Sequence, residues 1–264
     1  MKRYIPFLSS DPLVNVVRLQ GAITTSGRGL DDPSLANVLE KAFTKGKPKA
    51  VALQINCPGG SPVQSSLIAA RIRRLSLEND VPVVAFVEDV AASGGYWLAC
   101  AADEIYADVG SLIGSIGVIS AGFGFHDLIE RYGVERRVHT AGTSKSMLDP
   151  FRPEKSEDVQ RLEGWLTDLH DIFIGYVRSR REAQLDDDPN LFTGEVWIGQ
   201  KAQDKGLIDG IGHLIPVMKA LHGDRTRFRR FGPKKFLFQR LGARIIGDAI
   251  GTVEDRAAFA RFGL

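Results

Sequence analysis

Apolar positions along the chain recur in two rhythms. Val14–Leu19 is rich in β-branched residues and predicts a strand, and Asp32-Pro33 reads as an N-cap followed by proline at the first helical position. Leu35, Val38, Leu39 and Ala42 then recur at helical spacing. Ala50–Ile55 and Pro82–Val87 are continuous apolar runs, the pattern of strands buried on both faces. Each run opens into a glycine-rich turn, Asn56-Cys57-Pro58-Gly59-Gly60 and Ala91-Ala92-Ser93-Gly94-Gly95-Tyr96. A helix follows each turn, marked first by Val63, Leu67, Ile68, Ile72 and Leu75, and then by an apolar stretch through Ala102. Repeated strand, loop and helix predict an α/β class built of stacked βα or ββα units. From Glu154 to about Glu182 the pattern predicts a long amphipathic helix, with Leu162, Trp165, Leu166, Leu169, Ile172, Phe173 and Tyr176 on one side. Asp186-Asp187-Asp188-Pro189 ends it as a solvated loop, and two short helices are expected within Gly199–Gly210 and His213–Leu221.

Charge changes this picture at one end. The chain of 264 residues has a formal net charge of +2, yet Arg225–Arg244 holds eight basic residues and no acidic one, which leaves the remainder at −6. We therefore expect a single domain over residues 1–224 and a basic amphipathic tail over residues 225–264, in which Phe228, Phe231, Phe236 and Phe238 interleave with the cations. Such a tail suits peripheral contact with anionic lipid; no recognised module points to nucleic acid. Two cysteines, Cys57 and Cys100, exclude a disulfide framework and fit a reducing compartment. The first residues lack the apolar core of a signal peptide, and the longest uncharged stretch, Val109–Phe125, is too glycine-rich for a membrane span. The expectation is a cytoplasmic protein, with possible peripheral placement at the inner face of the cell membrane.

Familiar chemical signatures fail one by one. The five histidines show no metal-ligand spacing, and no metal or other cofactor is expected. Gly142-Thr143-Ser144-Lys145-Ser146 has serine where a phosphate-binding loop needs its second glycine. The two glycine-rich turns remain. Exposed amides at Asn56–Gly60 could hold an anion or a developing oxyanion. Ser93 stands where a strand ends and a helix begins, so its hydroxyl could be an N-cap or a nucleophile.

The ordered set of Pro58-Gly59-Gly60, Ala92-Ser93-Gly94-Gly95-Tyr96, Gly114-Ser115-Ile116-Gly117-Val118 and Lys145-Ser146-x-Leu148-Asp149-Pro150-Phe151 resembles the signal peptide peptidase SppA family of serine proteases. The closing stretch from Thr193-Gly194 through Val196-Trp197 to Gly206-Leu207-Ile208-Asp209 agrees, so the resemblance covers roughly residues 14 to 220. It implies a ClpP/crotonase-type fold and a Ser–Lys dyad, with Ser93 as nucleophile, Lys145 as general base, Ser115 orienting the lysine and the amides of Gly60 and Gly94 forming an oxyanion hole. It further implies an endopeptidase acting on short, unfolded, apolar peptides such as signal-peptide remnants. Because the duplication of long family members is missing, a homo-oligomer of several copies is expected. A lysine is a base only when neutral, which burial favours; the small and hydroxylic neighbours of Lys145 suit a sheltered amine. Cys57 replaces the serine common before Pro-Gly-Gly and is expected to be a small buried residue. The alternatives are a crotonase-type acyl-CoA enzyme, which would use Gly60 and Gly94 but leave Ser93, Ser115 and Lys145 idle, and a non-catalytic membrane scaffold.

Overall fold

The structure is a computed structural model and describes residues 11–25, 29–142, 144–181, 183–232 and 258–264. The residues fall into two compact units, Met1–Ile116 with Gly175–Leu264, and Gly117–Ile174.

The first unit is built on a sheet. β1 (Leu13–Gln20), β2 (Ala50–Cys57) and β3 (Val83–Ala92) are parallel and adjacent, and all three are almost wholly buried. α1 (Asp32–Thr44) and α2 (Pro62–Asn79) connect them. Leu35, Leu39, Ala42 and Phe43 are the buried stripe of α1; Ile68, Ala69, Ile72 and Leu75 are that of α2. After β3 come α3 (Gly94–Ala99), β4 (Glu104–Ala107) and β5 (Leu112–Gly114). β3 pairs first with β4, through Val84–Val87, and then with β5, through Val90–Ala92. The handover occurs at an irregularity: Ile55 faces Val87 but Cys57 faces Ala91, so β3 spends two extra residues around Glu88 and Asp89. The strands therefore deliver Gly59, Ser93 and Ser115 to one end of the sheet, their carboxyl end, where open α/β sheets place ligands.

The remaining elements close the unit. α5 (Ser156–Arg181) brings the chain back, followed by β6 (Val196–Ile198), α6 (Gly199–Asp204), β7 (Gly210–Ile211) and α7 (Leu214–His222). β6 lies antiparallel to β5, and β7 pairs with β4. One face of the sheet packs Val14, Val16, Ala52, Val84 and Phe86 against Met218 of α7.

Two local expectations change. The cap of α1 is Asp31, whose carboxylate accepts from the Ser34 N–H at 2.8 Å; Asp32 lies inside the helix and pairs with Arg71. The segment expected as a tail from Arg225 begins with β8 (Arg227–Phe231), which pairs in parallel with β1 from Leu13↔Arg227 to Val17↔Phe231 and forms a sheet edge. Exposed arginines on that edge discourage pairing with another copy of the same strand. Lys234, Lys235, Arg240 and Arg244, with Phe236 and Phe238, lie outside the described residues.

The second unit, Gly117–Ile174, contains α4 (His126–Arg131) and most of α5. Phe125 stacks on Phe151 at 5.6 Å, and Arg136 lies over the same Phe151 ring at 5.6 Å. Trp165 and Ile172, on the apolar side of the long helix, are exposed. No described helix is long and apolar enough to cross a membrane.

Candidate active site

The site is assembled from three turns of the first unit. Ser93 ends β3 with φ 52 and ψ −123, a conformation that an L-residue adopts only under constraint, at a cost on the order of 1–3 kcal/mol. Its N–H donates to the Gly114 carbonyl at 2.8 Å, and its own carbonyl opens α3 by accepting from the Trp97 N–H at 3.0 Å. The side chain makes no capping hydrogen bond. Backbone contacts therefore fix the elbow, and the hydroxyl is not spent on the helix it precedes.

The glycine turn after β2 abuts this elbow. Gly59 has φ +106, and a Cβ placed there would lie 2.8 Å from the Ser93 Cβ and 2.9 Å from the Ala92 carbonyl oxygen. Only glycine lets the two turns meet. Gly60 is pinned on its other side by Ile23, whose N–H donates to the Gly59 carbonyl at 2.8 Å while its carbonyl accepts from the Ser61 N–H at 2.9 Å. That pattern uses the neighbours of Gly60 and leaves the Gly60 amide facing away from Ile23. Gly94, at the first position of α3, is packed so closely that a Cβ would meet the Ser65 Oγ at 2.4 Å and the Ile23 Cδ1 at 3.0 Å. Among the described residues, neither the Gly60 nor the Gly94 N–H has a protein acceptor. Two amides without acceptors beside an uncapped serine are a geometry suited to holding negative charge on oxygen. Ile23, Gly59 and Ser65, none of them singled out as site residues from the sequence, shape it. Of these only Gly59 carried a local signal, in the Pro-Gly-Gly turn.

Ser115 forms the third turn. β3 and β5 run in parallel register to Ala92↔Gly114, so Ser93 and Ser115 leave the sheet side by side. Ser115 is 8% exposed, has φ 51, and donates its N–H to the Glu195 carbonyl at 2.6 Å. Gly114 is close-packed against Trp197, which fixes this turn from β6.

Lys145 belongs to the second unit, in a turn where its N–H donates to the Gly142 carbonyl at 3.3 Å. It is exposed, so the small and hydroxylic neighbours do not shelter it as expected. Polar backbone and short side chains leave a long amine in water unless another surface covers it.

Behind the Ser93 elbow, α3 is completely buried and anchored by charge. The Tyr96 hydroxyl donates to the Leu207 carbonyl at 2.8 Å. Arg180 Nε donates to the Cys100 carbonyl at 2.9 Å, Arg73 reaches the Ala101 carbonyl at 3.2 Å, and Arg181, 3% exposed, reaches the Gly206 carbonyl and the Asp209 carboxylate. Burial works most strongly against the Arg181 charge, but the Asp209 hydrogen bond and the electrostatics of Tyr96, Asp209 and Cys100 together hold the guanidinium above its ordinary pKa. Burial raises Tyr96 well above the phenol range and pushes the Cys100 thiol up to about 12. Both stay neutral and inert at ordinary pH. Cys57 is likewise buried, as expected.

Among the described residues, one group could gather a cation: His126, Asp127 and Glu130 on the short α4, with both carboxylates exposed. It lies in the second unit, and the turns around Ser93 do not use it.

Known proteins resemble this chain in sequence and in fold. The profile described as peptidase family S49 matches residues 76–225. The Na(+)/H(+) antiporter NhaA of Brucella melitensis is 46% identical over 286 residues, an alignment covering all of this chain and 39% of that protein. The chloroplastic serine protease SPPA of Arabidopsis thaliana is 32% identical over 201 residues, covering 76% of this chain and 29% of its own. The chain thus spans well under half the length of these two relatives. Among solved structures, a mutant of the 1510-N membrane-bound stomatin-specific protease in complex with a substrate peptide superposes with a TM-score of 0.56 at 15% identity, covering 94% of this chain and 100% of that one. That likeness shows the fold, an α/β architecture of the ClpP type.

Proposed function

The chain belongs to peptidase family S49, and from that premise we propose that it is a serine endopeptidase with Ser93 as nucleophile. Lys145 is the general base, Ser115 orients it, and the Gly60 and Gly94 amides form the oxyanion hole. In the proposed cycle Lys145 takes the Ser93 hydroxyl proton as Oγ bonds to the peptide carbonyl carbon. The tetrahedral oxygen accepts from the two amides. Collapse breaks the C–N bond, the leaving amine takes the proton from Lys145, and water then releases the acyl group by the same path.

The observation that carries this reading is the Ser93 elbow, with its constrained φ, its uncapped hydroxyl and two amides without acceptors beside it. A plain N-cap would not need such a conformation. Lys145 is exposed, and a general base works best under cover from bulk water. Bound peptide or a second copy of the chain would supply it, which is the role we assign to homo-oligomerisation.

Short, unfolded, apolar peptides are the proposed substrates. Val63 and Leu67, among the apolar positions that mark α2 in the sequence, are exposed just after Gly60, where they would meet apolar side chains of a peptide held at the elbow. A place of action beside a membrane is supported by the names of two similar proteins, an antiporter and a membrane-bound protease. The basic residues from Arg225 onward would add contact with anionic lipid. Hydrolysis of a fluorogenic apolar peptide by the purified chain tests the reading. Activity is expected in the native protein and absent in a folded Ser93→Ala variant; equal turnover by both would refute it.

A further inference from the structure

Away from the Ser93 elbow, the first unit holds a cavity of about 620 Å³ at the corner where β3 changes partners. Its floor is Phe86 and Gln54, one wall is Leu214, Ile215 and Pro216 at the start of α7, and Glu88, Asp89 and Asp108 stand around it against Arg230 of β8. The carboxylates are held in place: Glu88 accepts from Gln54 Nε2 at 2.7 Å and from Arg18 at 2.9 Å, Asp89 accepts from Asn56, and Asp108 pairs with His213 at 2.8 Å. The groove is therefore apolar below, net acidic above and fixed in shape. The Gln54 Oε1 is buried without a donor among the described residues. A buried acceptor of that kind carries a desolvation penalty unless a donor comes to meet it.

The chain itself supplies a segment of matching chemistry. Leu264 already lines the cavity, with half of its surface still open. It ends the segment Ala258–Leu264, in which Phe259, Phe262 and Leu264 are apolar and Arg261 is the one charged side chain. We infer that this groove is a docking site for the chain's own residues 258–264, in which Leu264 seats against the α7 wall and Phe262 follows it, under the Arg261 guanidinium at 4.9 Å. Tethering places the segment near the groove at an effective concentration on the order of millimolar, so weak intrinsic affinity is enough.

Hydrogen exchange on the full chain tests this. In the double variant Phe262→Asp/Leu264→Asp, amides of Gly212–Ile215 should exchange roughly threefold faster or more, as expected when a mostly occupied site is emptied. The β1–β3 amides should keep their protection, which reports that the variant is folded. Added peptide Ala258–Leu264 should restore slow exchange in the variant, and a scrambled peptide should not. Unchanged exchange in a folded variant would overturn the inference, as would equal protection by the scrambled peptide. Protection of the native chain that rises with its concentration would assign the groove to a second copy and would equally refute docking within one chain. Ser93-dependent hydrolysis, measured in parallel, is expected to persist in the double variant, which separates this result from the proposed catalysis.

Discussion

The turns around Ser93 and the turn around Lys145 differ in what fixes them. Ser93, Gly59, Gly60 and Gly94 are held by steric necessity: added atoms would land 2.0 Å from the Ile23 carbonyl oxygen at Gly60, or 2.8 Å from the Ser93 Cβ at Gly59. Lys145 sits in an exposed turn, and a Cβ added at the neighbouring Gly142 would meet nothing within 4 Å. The lesson is a division of labour. A site that must hold charge on an oxyanion needs backbone amides that do not move, because preorganisation is what makes them effective. In the proposed cycle Lys145, as base, would need surroundings that change when substrate or a second copy binds.

The largest effect should come from the immobile half. Ser93→Ala is expected to lower kcat by at least about 10⁴-fold while leaving the fold intact, since the hydroxyl makes no capping bond. A melting temperature and a hydrolysis rate check both halves of that statement. Lys145→Ala should cost about 10³-fold or more, and Lys145→Arg should not rescue it, because a guanidinium does not give up its proton. Recovery by arginine would show that only positive charge is needed and would remove the contrast.

Next come the glycines. Gly94→Ala should lose about 1–3 kcal/mol of stability by overpacking against Ser65, and Gly94→Ala/Ser65→Ala should regain most of it, since the second change removes the atom at 2.4 Å. Denaturant melts of the single and double variants decide this. Gly60→Ala has no such remedy, because its obstacle is backbone at 2.0 Å and its φ is +139.

Alkaline pH separates the two regions further. Cys100 is a thiol whose pKa burial raises from 9.0 to about 12, so the folded state holds its proton more tightly than the unfolded chain. Its contribution to stability is full below pH 9 and is lost as pH rises through about 12. Stability measured across that window should fall, and fall less steeply in Cys100→Ala. A decline of the same slope in that variant would place the alkaline weakness elsewhere. The smallest effect is expected for Val63→Ser or Leu67→Ser, a reduction of kcat/KM on apolar peptides of roughly tenfold with little change on polar ones.

Much of this was legible before any coordinates. The continuous apolar runs at Ala50–Ile55 and Pro82–Val87 are β2 and β3 because parallel strands are covered on both faces. The ordered motifs located the three turns because close backbone approach demands glycine, and glycine is visible in a sequence. Other features were not legible, for physical reasons. The extra residues at Glu88 and Asp89 depend on β3 changing neighbours, a through-space event with no local sign. Arg227–Phe231 read as a solvated basic tail because an edge strand keeps its charges outside while its backbone pairs with β1. Asp31 took the cap expected at Asp32 because Asp32 is engaged by Arg71. The exposure of Lys145 was the costliest difference: small neighbours describe a turn, but shelter comes from whatever packs over it.

The proposed hydrolysis depends on activation of the Ser93 nucleophile by Lys145. Peptide-mapping mass spectrometry after treatment with a fluorophosphonate measures it directly. One covalent adduct is expected, on Ser93, formed at a rate that drops sharply in Lys145→Ala and is unaffected by Cys57→Ser. Labelling at another serine, or labelling of Ser93 at the same rate without Lys145, would contradict it.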